Sequence, residues 1–210
     1  MSIREEQLIR VIKQMLTPLR NIPLDIIIES ICGCKVLAYD DSINKELLKI
    51  VCSAGKTMNL RGIQSKRQNE VGNYIEPYII SAIQQHGYFA ETPQTFSGKK
   101  RSAGYPDIAA QIKGKSLYIE VKSYSNKTKS SSLRSFYLSP SKDFKVTQDA
   151  FHLIFAFEMV NIETGIFKTK KCSVLDARNL LCDVKYEFNS DNRRLYEATN
   201  NHTLFECNFM

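Results

Sequence analysis

Gly104-Tyr105-Pro106-Asp107-Ile108 and Ile119-Glu120-Val121-Lys122, with twelve residues between Asp107 and Glu120, set the architecture of this chain. Tyr105 to Ile112 and Ser116 to Lys122 are short, apolar-rich runs joined by Lys113-Gly114-Lys115. That pattern predicts a β-hairpin. Side chains alternate along a strand, so Leu117, Ile119 and Val121 face one side, which must be the core. Tyr118, Glu120 and Lys122 face the other. The hairpin folds Asp107 back toward Glu120 and Lys122, giving a carboxylate pair beside an ammonium.

Two readings of this cluster are open at this point. Two acidic oxygens can hold Mg²⁺, which takes hard oxygen ligands and keeps several waters. Such a metal polarises a phosphate and acidifies a bound water, and a neighbouring lysine stabilises the developing charge or helps deprotonate the water. The other reading is a cross-strand ion pair with no chemistry, of a kind common on protein surfaces.

Outward from the hairpin, helices come first. Residues 3 to 20 place Ile3, Leu8, Val11, Ile12, Met15, Leu16 and Leu19 on one helical face. Leu24 to Ile31 predicts a second helix stopped at Gly33. Residues 43 to 54 predict a third, with Ser42 as N-cap and Gly55 as stop. Residues 68 to 86 carry a longer helical pattern ending at Gly87, which Pro77 must kink or restart. After the hairpin, Ser123 to Ser132 is a Ser-, Lys- and Asn-rich loop. Phe136 to Leu138 and Phe151 to Val160 predict strands, the second apolar enough to be central, and Val174 to Leu181 predicts a helix. The fold class is α/β (α+β): a central mixed β-sheet flanked by helices, preceded by a helical N-terminal section. The expected organisation is one domain over 1–210, with the helical section at 1–60, the core at 66–160 and a C-terminal extension at 161–210.

Composition narrows the function. The 210 residues are 43% hydrophobic and 24% charged, ordinary for a globular chain, and nine Gly and six Pro exclude collagen-like or low-complexity architecture. Twenty-nine Lys and Arg against 22 Asp and Glu give +7, which suits a polyanion such as nucleic acid. No apolar run is long enough to span a membrane, and the N-terminus has no apolar signal core, so a cytoplasmic location is expected and no membrane partner. The six cysteines are scattered apart from Cys32-Gly33-Cys34, and the three histidines lie far from that pair. This is not a zinc pattern. His152, within Phe151-His152-Leu153-Ile154-Phe155, is expected to be a core or edge histidine. No GxxxxGK[ST] is present, which argues against ATP-driven translocation.

Pro106-Asp107 followed by Glu120-Val121-Lys122 resembles the PD-(D/E)xK signature of the restriction-endonuclease-like nuclease superfamily, over roughly Lys66 to Val160. The separation is usual for that superfamily, and the motif falls on a hairpin, as it does there. The resemblance implies a Mg²⁺-dependent endodeoxyribonuclease, most simply a type II restriction endonuclease cutting a specific double-stranded DNA sequence. It implies Asp107 and Glu120 as metal ligands with the Val121 carbonyl, and Lys122 as the stabilising or water-orienting group. It also implies one glutamate from the preceding helix. Gly72-Asn73-Tyr74-Ile75-Glu76 fits best and makes Glu76 the candidate, with Glu70 as fallback. Lys99, Lys100 and Arg101 before the motif, and Lys127, Lys129 and Arg134 after it, have the composition of a phosphate-contacting surface. Cutting both strands of a palindrome is simplest with two copies of one site, so a homodimer is expected. The rival readings are a structure-specific or repair nuclease, such as a junction resolvase, and a non-catalytic DNA-binding protein.

Overall fold

A computed structural model describes residues 2–17, 19–66, 68–101, 103–128, 136–138 and 143–186. The chain divides into two compact units, one of residues 1–21 with 183–210, the other of residues 22–182. In the first, α1 (Ile3–Met15) starts in a capping box: the Glu5 amide donates to Ser2 Oγ, and the Ser2 amide donates to Glu5 Oε2. None of its residues is buried, and Ile3, Leu8 and Leu16 are exposed.

The second unit is built on a six-stranded sheet in the order β2-β7-β6-β5-β4-β3. These strands are β2 (Ile63–Gln64), β3 (Phe89–Glu91), β4 (Ile108–Ile112), β5 (Lys115–Tyr124), β6 (Phe151–Glu163) and β7 (Ile166–Asp176). The predicted hairpin is β4–β5, paired Ile108 to Ile119 through Ile112 to Lys115. Its turn is Lys113–Gly114, both at positive φ (49° and 73°), the conformation a two-residue hairpin of right-handed twist requires. Within this sheet the parallel pair among the described strands is β5–β6, with Glu120 opposite Ile154. A parallel pair needs a long crossover, and here it is the chain between Tyr124 and Phe151. A separate two-stranded ribbon joins β1 (Ile22–Pro23) to β8 (Leu181–Cys182).

The two faces of β5 lie against different layers. Leu117, Ile119 and Val121, with Leu153, Phe155 and Phe157 of β6, pack in one core with Ile50, Ala54 and Met58 of α3 (Asn44–Arg61) and Ile79, Ala82 and Ile83 of α4 (Glu76–Gln85). Tyr118 and Ile154, on the opposite face, pack with Leu24 and Ile28 of α2 (Leu24–Cys32) and with Val146, Phe136 and Leu138 of the crossover. The crossover thus roofs the face that carries Glu120. The Glu120–Lys122 ion pair is present, but under this roof it is partly buried rather than on the open surface.

The helical section agrees with the sequence pattern in α2, which Gly33 ends at φ +71°. Gly55 does not stop the third helix. Its backbone is helical, a Cβ there would make only ordinary contact with Thr169 Cγ2 (3.6 Å), and α3 continues to Arg61, with Gly62 as its C-cap. Ser42 does not cap α3 either. It lies in a 3₁₀ turn, Asp41–Ile43, whose cap is the Asp40 side chain accepting from the Ser42 amide. Pro77 restarts the helix rather than kinking it: residues Gln68–Tyr74 form a 3₁₀ segment, and α4 begins with proline in its first turn, where its missing N–H costs nothing.

Two expected elements are corrected. Phe136–Leu138 forms no strand, and the Phe136 ring meets Tyr105 edge-on at 5.2 Å. Val174 to Leu181 is not a helix, because Val174 to Asp176 complete β7, paired to β6 down to Leu153, and Leu181 enters β8. Cross-strand pairing overrides the local helical spacing there. Among the described residues no helix is long and apolar enough to cross a membrane.

Candidate active site

Asp107 stands one residue before β4, and its position is fixed through the main chain of β5. Its amide donates to the Ile119 carbonyl (3.1 Å), and its Oδ2 accepts from the Val121 amide (2.7 Å). Main-chain groups of alternate strand residues point to the same edge. The Val121 carbonyl is therefore directed to the edge where Asp107 sits. Glu120 and Lys122 stand side by side on the roofed face, and Lys122 Nζ donates to Glu120 Oε1 at 2.6 Å. Glu120 is only 4% exposed, and its Oε2 is buried with no hydrogen-bond partner. Glu76 enters from the first turn of α4, half-buried and close enough to Asp107, Lys122 and Lys145 to feel their charges. Glu70 lies in the 3₁₀ segment before it.

The electrostatics follow from crowding carboxyl groups where water is scarce. Burial first, and the neighbouring Asp107 second, push Glu120 up to about 7, against the pull of Lys122 and Lys145. The same two causes push Glu76 up to about 7. Asp107 is also raised by burial, opposed by the Val121 amide and then by the two lysines. Groups that titrate near neutrality through burial and charged neighbours in one cleft are a signature of functional sites.

The donor set fits a hard divalent cation. An unpartnered buried carboxylate oxygen is costly unless something satisfies it, and Glu120 Oε2 lies in the same cluster as Asp107. Among the described residues no group of three or more His, Cys, Asp or Glu side chains is arranged to hold a metal. The protein ligands would then be the Asp107 and Glu120 carboxylates with the Val121 carbonyl, which suits an ion that retains several waters.

The basic residues divide. Lys99, Lys100 and Arg101 are exposed on the loop ahead of Asp107, with Lys100 paired to Glu91 at 2.6 Å. Lys127 is exposed just beyond β5. Lys129 and Arg134 lie outside the described residues. His152 is a fully buried core histidine whose Nδ1 bonds the Tyr105 hydroxyl, and burial lowers it to about 4.

The sequence reading missed Lys145. It is 4% exposed, donates to the Arg101 carbonyl (3.3 Å), and interacts electrostatically with Asp107, Glu120 and Glu76. Burial lowers its pKa while the three carboxyl groups hold it up. Nothing in Asp143-Phe144-Lys145-Val146-Thr147 distinguishes this lysine from a solvated one. Only the return of the crossover brings it to the site.

The sequence profile of the Type II restriction enzyme MjaV family matches residues 18–199. The chain belongs to that family. The type II restriction enzyme MjaV of Methanocaldococcus jannaschii is 35% identical over 214 aligned residues, which cover 91% of this chain and 92% of that protein. Membership in the MjaV family makes the chain a site-specific endonuclease and sets aside the non-catalytic DNA-binding reading. The matched span contains Glu76, Asp107, Glu120, Lys122 and Lys145 together. Type II restriction enzymes generally use divalent metal ions, in keeping with the donor set just described.

Proposed function

We propose that this protein is a Mg²⁺-dependent type II restriction endonuclease that hydrolyses phosphodiester bonds at a specific sequence in double-stranded DNA, leaving 5′-phosphate and 3′-hydroxyl ends. The observation that carries this reading is the pairing of Asp107, clamped by the Val121 amide, with a buried Glu120 whose Oε2 has no partner.

Asp107 Oδ2 is committed to the main chain, which orients the carboxylate so that Oδ1 can serve as ligand. Glu120 presents Oε2 while Lys122 holds Oε1 in place. When bound, Mg²⁺ supplies polarisation of the phosphodiester and acidification of a coordinated water. Lys122, fixed by Glu120, offers its ammonium to the non-bridging phosphate oxygens, where negative charge builds in the transition state. Glu76, at about 7, can accept or release a proton near neutral pH. Lys99, Lys100 and Arg101 supply sequence-independent attraction to the phosphate backbone beside the site. Two copies of the chain, each with one such site, would cut the two strands of a palindrome.

The test is incubation of the purified protein with phage-sized duplex DNA in Mg²⁺ and in EDTA. Discrete fragments with Mg²⁺ alone support the reading. A Mg²⁺-dependent smear, or fragments that persist in EDTA, contradicts it.

A further inference from the structure

We propose that Lys145 is a positioning residue of this site, pinning the Lys99–Arg101 loop beside the strand that carries Glu120 and setting its charge within reach of Asp107, Glu120 and Glu76. The inference rests on the endonuclease reading and deepens it.

The first ground is where the ammonium lies. A lysine normally keeps its charged head in water and is almost never fully buried unless paired. Lys145 is 4% exposed, its Nζ donates to the Arg101 carbonyl (3.3 Å), and the charges of Asp107, Glu120 and Glu76 reach it. Three carboxyl groups facing one another repel when ionised. Lys122 and Lys145 both offset that repulsion, Lys122 more for Asp107 and Lys145 more for Glu76.

The second ground is how the lysine is delivered. Its segment is fastened on both sides of it. Asp143 accepts from the Ser97 amide (2.9 Å) and the Ser97 hydroxyl (2.7 Å), and the Phe144 carbonyl accepts from the Phe96 amide (2.9 Å). Val146 is buried, and the Thr147 amide donates to the Tyr118 hydroxyl (3.0 Å) on the strand that carries Glu120. Further on, Asp149 Oδ1 accepts from the Lys35 amide (2.7 Å), and Ala150 pairs with Val36. The strap therefore has few ways to move Lys145, and through Arg101 and Tyr118 it ties the basic loop to the strand that carries Glu120. Residues that orient metal ligands from behind typically change activity by about 10- to 100-fold when removed.

The experiment compares wild type, Asp107→Ala, Lys145→Met and Lys145→Gln. Each is measured for thermal unfolding in EDTA, duplex binding with Ca²⁺ in place of Mg²⁺, and single-turnover cleavage with Mg²⁺. Hydrogen exchange of the metal-free protein is followed over residues 96–107. The proposal expects folded Lys145→Met to bind duplex within about threefold of wild type and to cut about 10- to 100-fold more slowly. It also expects faster exchange over the 96–107 loop. Cleavage within threefold of wild type, or unchanged exchange there, overturns it. If Lys145→Met does not fold, Lys145→Gln is judged by the same criteria. Failure of both to fold also overturns the proposal, since the lysine would then serve the core rather than the site. A wild-type protein that cuts no duplex, or an Asp107→Ala variant that cuts normally, refutes the endonuclease reading instead, and the exchange result then judges Lys145 alone.

Discussion

Replacing Glu120 with Gln should destroy cleavage and, in the absence of metal, make the protein more stable. The carboxyl group is displaced from its ordinary 4.5 to about 7, chiefly by burial and then by Asp107. Because the folded value lies above the unfolded one, the folded state binds more protons between these limits. Stability contributed by protonated Glu120 is fully present below pH 4.5 and is lost as pH rises through 7. The displacement corresponds to about 3 kcal/mol. Gln keeps an oxygen for the Lys122 ammonium but cannot ionise, so it avoids that loss. In EDTA at pH 8, Glu120→Gln should therefore melt above wild type by about 6–12 °C, taking 2–4 °C per kcal/mol for a chain of this size. Near pH 4.5 the two should melt together. The difference between variant and wild type is the right quantity to read, because His152 tilts the wild-type profile the other way. Its folded value of about 4 lies below the usual 6.5, so its contribution is lost as pH falls from 6.5 toward 4. Thermal unfolding by circular dichroism from pH 4.5 to 8.5 suffices. A Glu120→Gln variant that is less stable than wild type at pH 8, or a difference that does not grow with pH, would refute the reasoning.

Other consequences follow from single contacts. Tyr105→Phe removes the partner of His152 Nδ1 inside a dry core, which should cost about 1–3 kcal/mol in denaturant unfolding. Gly62 sits at φ +69°, and a Cβ there would lie 2.8 Å from Ile166 Cγ2. Gly62→Ala should accordingly lower stability by about 1–3 kcal/mol, with the sheet edge at β2 exchanging amide protons fastest. Replacing Lys99, Lys100 and Arg101 together by Ala should weaken binding to specific and unrelated duplexes alike and reduce the salt dependence of log K by about 2–3, as seen in a salt titration of duplex affinity.

What the sequence disclosed and what it hid have physical causes. The β4–β5 hairpin was legible because Lys113-Gly114 is a turn signal and because Leu117, Ile119 and Val121 alternate with Tyr118, Glu120 and Lys122. Asp107, Glu120 and Lys122, the proposed catalytic trio, all lie in or beside that hairpin, so local pattern was enough to bring them together. The long apolar run at Phe151 was legible as a central strand because both its faces are covered. The end of strand β7, Val174 to Asp176, was read as the start of a helix because its local pattern is weak, and pairing with β6 holds it extended. Gly55 misled because a single glycine inside a helix costs only about 1 kcal/mol and does not by itself end it. The burial of Glu120 and the arrival of Lys145 both depend on the crossover between two parallel strands. That is a contact between distant segments, to which no local spacing corresponds.

The most direct measurement is single-turnover cleavage of one cognate duplex by wild type and Asp107→Ala side by side in Mg²⁺, with duplex affinity measured in Ca²⁺. The structure predicts discrete cutting by wild type and, for Asp107→Ala, retained affinity with cleavage reduced at least about a hundredfold. An Asp107→Ala protein that folds, binds and still cuts at the wild-type rate would show that the chemistry lies elsewhere in the chain.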